Sequence, residues 1–112
     1  MEKLLQELIK FREERDWGRF HSPKNLAMAL MVEAGELTEH FQWLTQEQSQ
    51  NLPDEKKALV KDEIGDVFIY LLNLADRLGI DPLQAARDKL EKNREKYPAL
   101  KVKGKALKYD EY

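Results

Sequence analysis

The sequence lacks cysteine and any long uninterrupted apolar run. None of its 112 residues is cysteine, which excludes disulfides, thiolate metal sites and a cysteine nucleophile. No window approaches the roughly 18 apolar residues that a membrane-spanning helix needs. The N-terminal stretch MEKLLQELIKF mixes both charges with apolar residues, unlike a secretory signal peptide. We therefore expect a soluble cytoplasmic protein without a membrane partner.

An excess of positive charge is also missing. The chain has 19 Lys and Arg against 21 Asp and Glu, a formal net charge of -2, so polymeric nucleic acid is not an expected partner. Proline and glycine are scarce, at four and five residues, while 36% of residues are charged. This composition is typical of helical proteins. The length predicts a single domain over residues 1–112, with a lysine-rich tail at residues 98–112.

Helical spacing of apolar residues and recognisable caps predict four helices and no strand. Ser22–Pro23 and Asp81–Pro82 each combine an N-cap residue with proline at the first helical position. Gly79 and Pro98 are typical of helix ends. The linker TQEQSQNLPD (residues 45–54) is polar and has no periodicity. The first predicted helix ends near residues 16–17, and the second runs from 22–23 to about 43–44. The third runs from about 53 to 78, and the fourth from 81–82 to 97.

Two stretches inside these helices are apolar on nearly every side. They are Leu26–Val32 in the second helix and Val67–Leu72 in the third, and such a helix is buried on every side. Four helices cannot bury two of their members completely. We therefore predict an all-α, four-helix bundle-like subunit that assembles into a homo-oligomer.

Two acidic pairs interrupt these apolar stretches. Glu33 and Glu36 lie three residues apart, as do Glu63 and Asp66, and residues at this spacing share one helix face. If the second and third helices pack together, four carboxylates converge. Buried unpaired carboxylates are costly, and a hard divalent cation with oxygen ligands would relieve that cost. A solvated acidic face is the plainer interpretation, but the repetition of the pattern favours a metal site.

Each acidic pair also contains a glycine, Gly35 or Gly65. Glycine costs a helix about 1 kcal/mol relative to alanine. The two glycines therefore predict the close approach of a backbone, an ion or a ligand.

An all-oxygen site favours Mg²⁺, with Mn²⁺ as the second candidate, over iron or zinc. The carboxylate di-iron bundles need Glu-x-x-His pairs, and neither His21 nor His40 follows a glutamate at that spacing. Magnesium held by acids in a small enzyme usually serves a phosphate ester or anhydride. Cationic groups and flat rings should then lie nearby.

Lys89, Asn93 and Lys96 share one face of the fourth helix and are candidate phosphate contacts, although a solvated basic stripe explains them equally well. Several aromatic residues border the acidic pairs and could stack on a nucleobase, although each alone is more typical of a core or interface. These aromatic residues are Trp17, Phe20, Trp43 and Tyr70.

The stretches ERDWGRFHSPKNLAMALMVEAGELTEHFQW, DEIGDVFIYLLNLADRLGID, KLEKNREKYP and KYDEY resemble the MazG-type all-α nucleoside triphosphate pyrophosphohydrolases, and the dCTP pyrophosphatase branch in particular. The resemblance extends from about Phe11 to Tyr112. The paired acids are shared across the superfamily, whereas the RDW..FH.P.NL, FQW and KYP…KY elements are more specific to the branch.

The resemblance implies Mg²⁺-dependent hydrolysis of a nucleoside triphosphate between its α and β phosphorus atoms, giving monophosphate and pyrophosphate. It also implies homo-oligomers with sites at subunit interfaces, and we expect a dimer of dimers, with a dimer as the alternative. Glu36 and Glu63 are the candidates to accept a proton from the attacking water. The implied metal ligands are Glu33, Glu36, Glu63 and Asp66. The implied substrate-binding residues are Trp17, Phe20, His21, Asn25, Trp43, Tyr70, Lys89, Asn93 and Lys96.

The residues leave two questions open, the identity of the substrate and whether the protein is an enzyme. We expect dCTP or a modified dCTP, with housecleaning of the nucleotide pool as the role, but a related enzyme for dUTP or an abnormal nucleotide fits the same residues. A non-catalytic helical interaction module, such as a regulatory or toxin-neutralising partner, is the alternative from another class. It predicts acids that scatter over the solvent-exposed surface.

Overall fold

The computed structural model describes residues 1–104, apart from the side chain of Val102. These residues form helices and connecting turns without any strand, which confirms the predicted all-α class. Residues 105–112, which include the KYDEY stretch, lie outside the described residues. The helices are α1 (Glu2–Glu14), a short 3₁₀ helix (Gly18–Phe20), α2 (Pro23–Glu39), α3 (Gln46–Gln50), α4 (Asp54–Arg77), α5 (Pro82–Lys96) and α6 (Ala99–Val102).

The four predicted helices correspond to α1, α2, α4 and α5, and their caps form as expected. The Ser22 hydroxyl accepts a hydrogen bond from the Asn25 backbone N–H at 3.1 Å. The Asp81 carboxylate accepts from two backbone N–H groups in the first turn of α5. Gly79, just beyond α4, has a φ of +66°, a conformation that favours glycine. Local side-chain chemistry therefore sets these ends.

Three details differ from the prediction. α2 ends at Glu39 instead of continuing to residue 43 or 44, because the chain turns there with Phe41 and Gln42 both donating to the Thr38 carbonyl. The linker contains α3, which a capping box between Thr45 and Gln48 begins. The predicted tail contains the short helix α6. The linker and tail were predicted without helix because neither shows apolar periodicity.

The described residues fall into two compact units, Met1–Gly79 and the part that begins at Ile80. In the first unit, α2 and α1 each pack against α4. The beginning of α2 meets the end of α4 through the His21 carbonyl and Arg77, and the end of α2 approaches Glu63, so these helices are antiparallel. Leu26 and Leu72, each 1% exposed, form the centre of the core. That the chain is a single domain and that it assembles into a homo-oligomer stay predictions.

One face of α2 is exposed and apolar. Met28, Met31 and Val32 are 60%, 73% and 59% exposed, so the described residues 1–104 do not bury this stretch on every side, as the sequence predicted. Along α4, Ile64, Phe68 and Leu71 are also exposed, at a spacing of four and three residues. Within residues 1–104, none of the helices combines the length and apolar character required to cross a membrane.

Candidate metal centre and nucleotide site

The antiparallel packing of α2 on α4 brings three of the four predicted acids together. Glu33 and Glu36 from α2 and Glu63 from α4 each offer a carboxylate oxygen, and these oxygens all lie within 4.8 Å of one another. We call these three residues the acid cluster. The spacing of three residues places both α2 acids on the face that meets α4, so local helix geometry and tertiary packing build the cluster together.

Asp66 lies at the edge of the acid cluster. It is exposed, and its carboxylate is not one of the three that meet within 4.8 Å. Its negative charge nevertheless contributes to raising the pKa of both Glu33 and Glu63. Asp66 is therefore close enough to act electrostatically on the cluster that it was predicted to join.

Burial leaves two carboxylate oxygens of the cluster without a partner. Glu33 Oε2 and Glu63 Oε2 are inaccessible to solvent and have no hydrogen-bond partner among the described residues. Burial raises the pKa of Glu33 to about 7, assisted by a hydrogen bond and charge from Glu36 and by the charges of Asp66 and Glu63. Burial also raises the pKa of Glu63, followed by the charges of Glu36 and Asp66.

The donor set fits a hard divalent cation. The cluster supplies carboxylate oxygens only, and two oxygens of its side chains are buried without a hydrogen-bond partner among the described residues. Mg²⁺ prefers such oxygen ligands. Unpaired buried carboxylates destabilise a fold, and a cation would remove that cost. The residues present could therefore hold such an ion.

His40 is a neighbour of the cluster to which the sequence analysis gave no role. Its Nε2 lies 4.0 Å from Glu63 Oε1, and its charge, when protonated, opposes the rise in the Glu63 pKa. The sequence signal was present, because His40 follows Glu33 and Glu36 by seven and four residues on one helical stripe.

Residues Trp17–His21, which we call the aromatic segment, precede α2. The Trp17 ring lies edge-on to that of Phe11 at a centroid distance of 5.7 Å, and the Arg19 guanidinium lies 5.0 Å from the Phe20 ring centroid. Trp17 and Phe20 are 44% and 58% exposed, so both rings present surface on which a base could stack.

The Asn25 side chain fixes this segment, while the His21 ring lies half-buried within it. His21 is half-buried, and its Nδ1 is inaccessible and unpartnered among residues 1–104. Burial lowers the pKa of the His21 imidazole, followed by the charges of Arg12 and Arg77. The Asn25 side chain donates to the Phe20 carbonyl at 3.1 Å. The contact observed for Asn25 is thus structural, while its predicted contact with substrate stays a prediction.

The remaining predicted residues lie in three places. Trp43 is 86% exposed and follows the end of α2, so its predicted position on that helix is wrong. Tyr70 is half-buried on α4, two turns beyond Glu63. Lys89, Asn93 and Lys96 lie on α5 in the second compact unit, and their place near the phosphates stays a prediction.

Gly35 and Gly65 have open space around them. A Cβ atom added at either glycine would meet nothing within 4 Å among the described atoms. The predicted close approach of a backbone is therefore wrong within this part of the chain. An ion or ligand beside the glycines stays a prediction.

Known proteins resemble this chain over most of its length. The sequence profile of the MazG-like family matches residues 28–111. Mouse dCTP pyrophosphatase 1 is 44% identical over 102 residues, which cover 89% of this chain and 60% of the mouse protein. The human dCTP pyrophosphatase 1 is 41% identical over 104 residues, covering 91% of this chain and 61% of its own length. The chain thus spans about three fifths of the length of these relatives.

A solved structure resembles the fold as well. The crystal structure of a pyrophosphatase from Archaeoglobus fulgidus superimposes with a TM-score of 0.84 and 44% sequence identity, over 88% of this chain and 92% of that one. The match to the family profile and these similarities confirm the resemblance found in the sequence, and the chain belongs to the MazG-like family.

Proposed function

We propose that this protein is a divalent-cation-dependent nucleoside triphosphate pyrophosphohydrolase that cleaves dCTP or a modified dCTP between its α and β phosphorus atoms. The observation that carries the proposal is the acid cluster, in which three carboxylates converge and two of their oxygens are buried without a partner in the part of the chain that the structure describes. Membership of the MazG-like family and the similarity to two dCTP pyrophosphatases support the reaction and the base.

The acid cluster and Asp66 would hold Mg²⁺, or Mn²⁺ in its place. Bound there, the cation would neutralise phosphate charge and make water a better nucleophile at neutral pH. Glu33 is the best supported ligand. One of its oxygens is inaccessible to solvent and has no hydrogen-bond partner among residues 1–104, and burial and neighbouring carboxylates raise its pKa.

Glu36 and Glu63 are the candidates for the proton acceptor. In the reaction, a water oxygen forms a bond to the α phosphorus, the bond from that phosphorus to the α–β bridging oxygen breaks, and pyrophosphate departs. The water proton passes to one of these carboxylates. Glu36 is exposed, whereas Glu63 is half-buried and its Oε2 is inaccessible to solvent, so Glu36 is the more accessible of the two. Lys89 and Lys96 would balance charge on the departing pyrophosphate.

The nucleobase would be bound by aromatic residues from two places. Trp43 lies in the turn just beyond α2, close in sequence to Glu36 and exposed. The aromatic segment, by contrast, lies at the other end of α2. His21 precedes Glu33 by twelve residues, which corresponds to about 18 Å along a helix. A nucleotide at the acid cluster would therefore meet the aromatic segment of a second copy more readily than that of the same chain.

Self-association is accordingly part of the proposal. The exposed apolar face of α2, with Met28, Met31 and Val32, offers a surface that a second copy would cover, and Gly35 on the same face leaves room for its approach. We expect a dimer of dimers, with Met31→Glu lowering the mass measured by sedimentation equilibrium. An unchanged mass in Met31→Glu would remove this face from the interface.

The activity test identifies the products of a nucleotide panel. The protein is incubated with Mg²⁺ and dCTP, 5-modified dCTP, dUTP or other dNTPs, and pyrophosphate and orthophosphate are measured separately. Pyrophosphate with a preference for cytosine supports the proposal, and pyrophosphate with a preference for uracil transfers it to the dUTP alternative. Orthophosphate alone indicates another phosphatase, while neither product favours the non-catalytic interaction module.

Glu63→Gln tests the site itself, because it removes a carboxylate charge with little change in shape. We expect turnover to fall by at least about 10²-fold, with the helical circular dichroism spectrum and the mass of the assembly unchanged. Glu39→Gln is the matched control, since Glu39 is exposed on α2 and should keep full activity. Near-normal turnover of Glu63→Gln at saturating Mg²⁺ would exclude Glu63 as an essential residue.

A further inference from the structure

Arg77, the last residue of α4, holds the aromatic segment by its backbone. Its Nε donates to the His21 carbonyl at 3.0 Å, and its Nη2 donates to the Gly18 carbonyl. One planar guanidinium thus bonds to both ends of the 3₁₀ turn, a fork geometry that the ammonium group of lysine cannot reproduce. The turn itself is closed by the His21 N–H, which donates to the Gly18 carbonyl at 3.1 Å.

A second arginine fixes the beginning of the segment. The backbone carbonyl of Arg12 accepts from the Trp17 N–H at 2.9 Å. The Arg12 side chain is held in turn by α4, donating to Asn73 Oδ1 at 3.0 Å and Asp76 Oδ2 at 2.9 Å. The C-terminal part of α4 therefore anchors the segment at both ends, through Arg12 at Trp17 and through Arg77 at Gly18 and His21.

These contacts matter because side-chain packing covers the two rings of the segment only in part. Trp17 and Phe20 remain about half exposed, so their orientation depends on the backbone that carries them. A binding loop held in its bound conformation loses less entropy when the ligand binds. Rigidity supplied through Gly18 and His21 would consequently appear as affinity for the nucleotide.

We infer that Arg77 is a positioning residue of the nucleotide site, which holds the aromatic segment in the conformation that receives the nucleobase. This inference rests on the proposed function. Arg77 and its two hydrogen bonds to backbone carbonyls are exposed, so variants at this position should fold. Arg12, whose guanidinium is buried, is less suitable for a kinetic test because its loss would disturb the core.

The kinetic test compares Arg77→Met, Arg77→Lys and the control Arg87→Met, which removes an exposed arginine from α5. With dCTP and saturating Mg²⁺, Arg77→Met should raise KM by about tenfold through lost preorganisation and change kcat by less than about twofold. Arg77→Lys, which keeps one donor group, should lie between Arg77→Met and the unsubstituted protein. Arg87→Met should match the unsubstituted protein. A fall in kcat without a change in KM, or an unchanged KM, would overturn the inference.

A fluorescence test is independent of activity. The chain has two tryptophans, so Trp43→Phe leaves Trp17 as the single reporter of the segment. In that background, Arg77→Met should increase acrylamide quenching of Trp17, while Arg87→Met should not. Equal quenching in both variants would show that Arg77 does not hold the segment. If the unsubstituted protein hydrolyses no nucleotide, the proposed function and the nucleotide role of Arg77 both fail, whereas the quenching still decides whether Arg77 holds the segment.

Discussion

Helix α4 packs against α1 and against α2, and the charged side chains at these two contacts are arranged in opposite ways. Toward its C-terminal end it faces Arg12 of α1, whose guanidinium bonds to Asn73 and forms an ion pair with Asp76. Earlier along the helix it faces α2, where Glu33, Glu36 and Glu63 bring like charges together. In the first contact the chain supplies both signs of charge, and in the second it supplies almost only one.

The difference between the two contacts matters because charged groups in both are partly buried. The Arg12 and Asp76 side chains are 10% and 25% exposed, and their hydrogen bonds offset the cost of leaving water. Glu33 Oε2 and Glu63 Oε2 are also inaccessible to solvent but have no partner among residues 1–104. A protein interior tolerates unpaired carboxylates only by raising their pKa or binding a cation. The first contact therefore stabilises the fold, while the second would be balanced by the cation proposed above.

Arg12→Met removes the ion pair between α1 and α4 and should have the largest effect on stability. The substitution leaves Asp76 partly buried without its cation, and breaking a buried pair in this way costs about 3–5 kcal/mol. The free energy of unfolding from urea titration followed by circular dichroism measures it. Arg12→Met/Asp76→Leu, which removes both charges, should recover much of the loss. A single variant that loses less than about 1 kcal/mol would mean that the pair contributes little.

A divalent cation should offset the negative charge of the acid cluster between α2 and α4 and so stabilise the protein. At a Mg²⁺ or Mn²⁺ concentration of a hundred times Kd, binding to the folded state alone adds about 2.7 kcal/mol, visible as a rise in Tm over the same protein in EDTA. Glu33→Gln should greatly reduce this rise, and Glu39→Gln should keep it. Equal rises in the two variants would place the bound cation elsewhere.

The metal-free protein should lose stability as pH rises. Burial and neighbouring carboxylates raise the pKa of Glu33 to about 7 from an ordinary value of 4.5, so between these values the folded state binds more protons than the unfolded state. The contribution of the Glu33 proton to the free energy of unfolding is then fully present below about pH 4.5 and is lost as pH rises through about 7. The effect should be smaller than that of Arg12→Met because Glu33 is only partly buried. Urea titrations in EDTA across this range measure the decline.

The matching control for the pH prediction is Glu33→Gln, which has no proton to lose at this position. Its stability in EDTA should depend less on pH than that of the unsubstituted protein. Parallel pH profiles for the two proteins would show that Glu33 does not titrate with a raised pKa.

The helix ends and the acid cluster could be predicted because short-range patterns determine them. Ser22 and Asp81 each precede a proline and form the caps that this pair favours. Glu33 and Glu36 repeat at helical spacing beside an apolar run, and the packing of that run on α4 brings them to Glu63. The capping box of α3, from Thr45 to Gln48, was also readable, but its helix is too short to show periodicity.

The contacts of the arginines could not be predicted from residue identity. Arg12 lies among charged residues of α1, and its burial depends on where α1 packs on α4. Arg77 bonds to backbone carbonyls, which every residue possesses, so no side-chain pattern indicates its partners. Trp43 was misplaced for a similar reason, since the turn that ends α2 is made by backbone hydrogen bonds to Thr38.

Gly65→Ala should have the smallest effect on stability, at a position on α4 beside Glu63 and Asp66. An added methyl group would meet nothing within 4 Å, and alanine favours a helix interior by roughly 0.5–1 kcal/mol. The free energy of unfolding in EDTA should therefore rise by up to about 1 kcal/mol. If the cation or nucleotide approaches this position, the same variant should lose metal affinity or raise KM. Greater stability with unchanged metal affinity and KM would show that this glycine serves neither the fold nor the site.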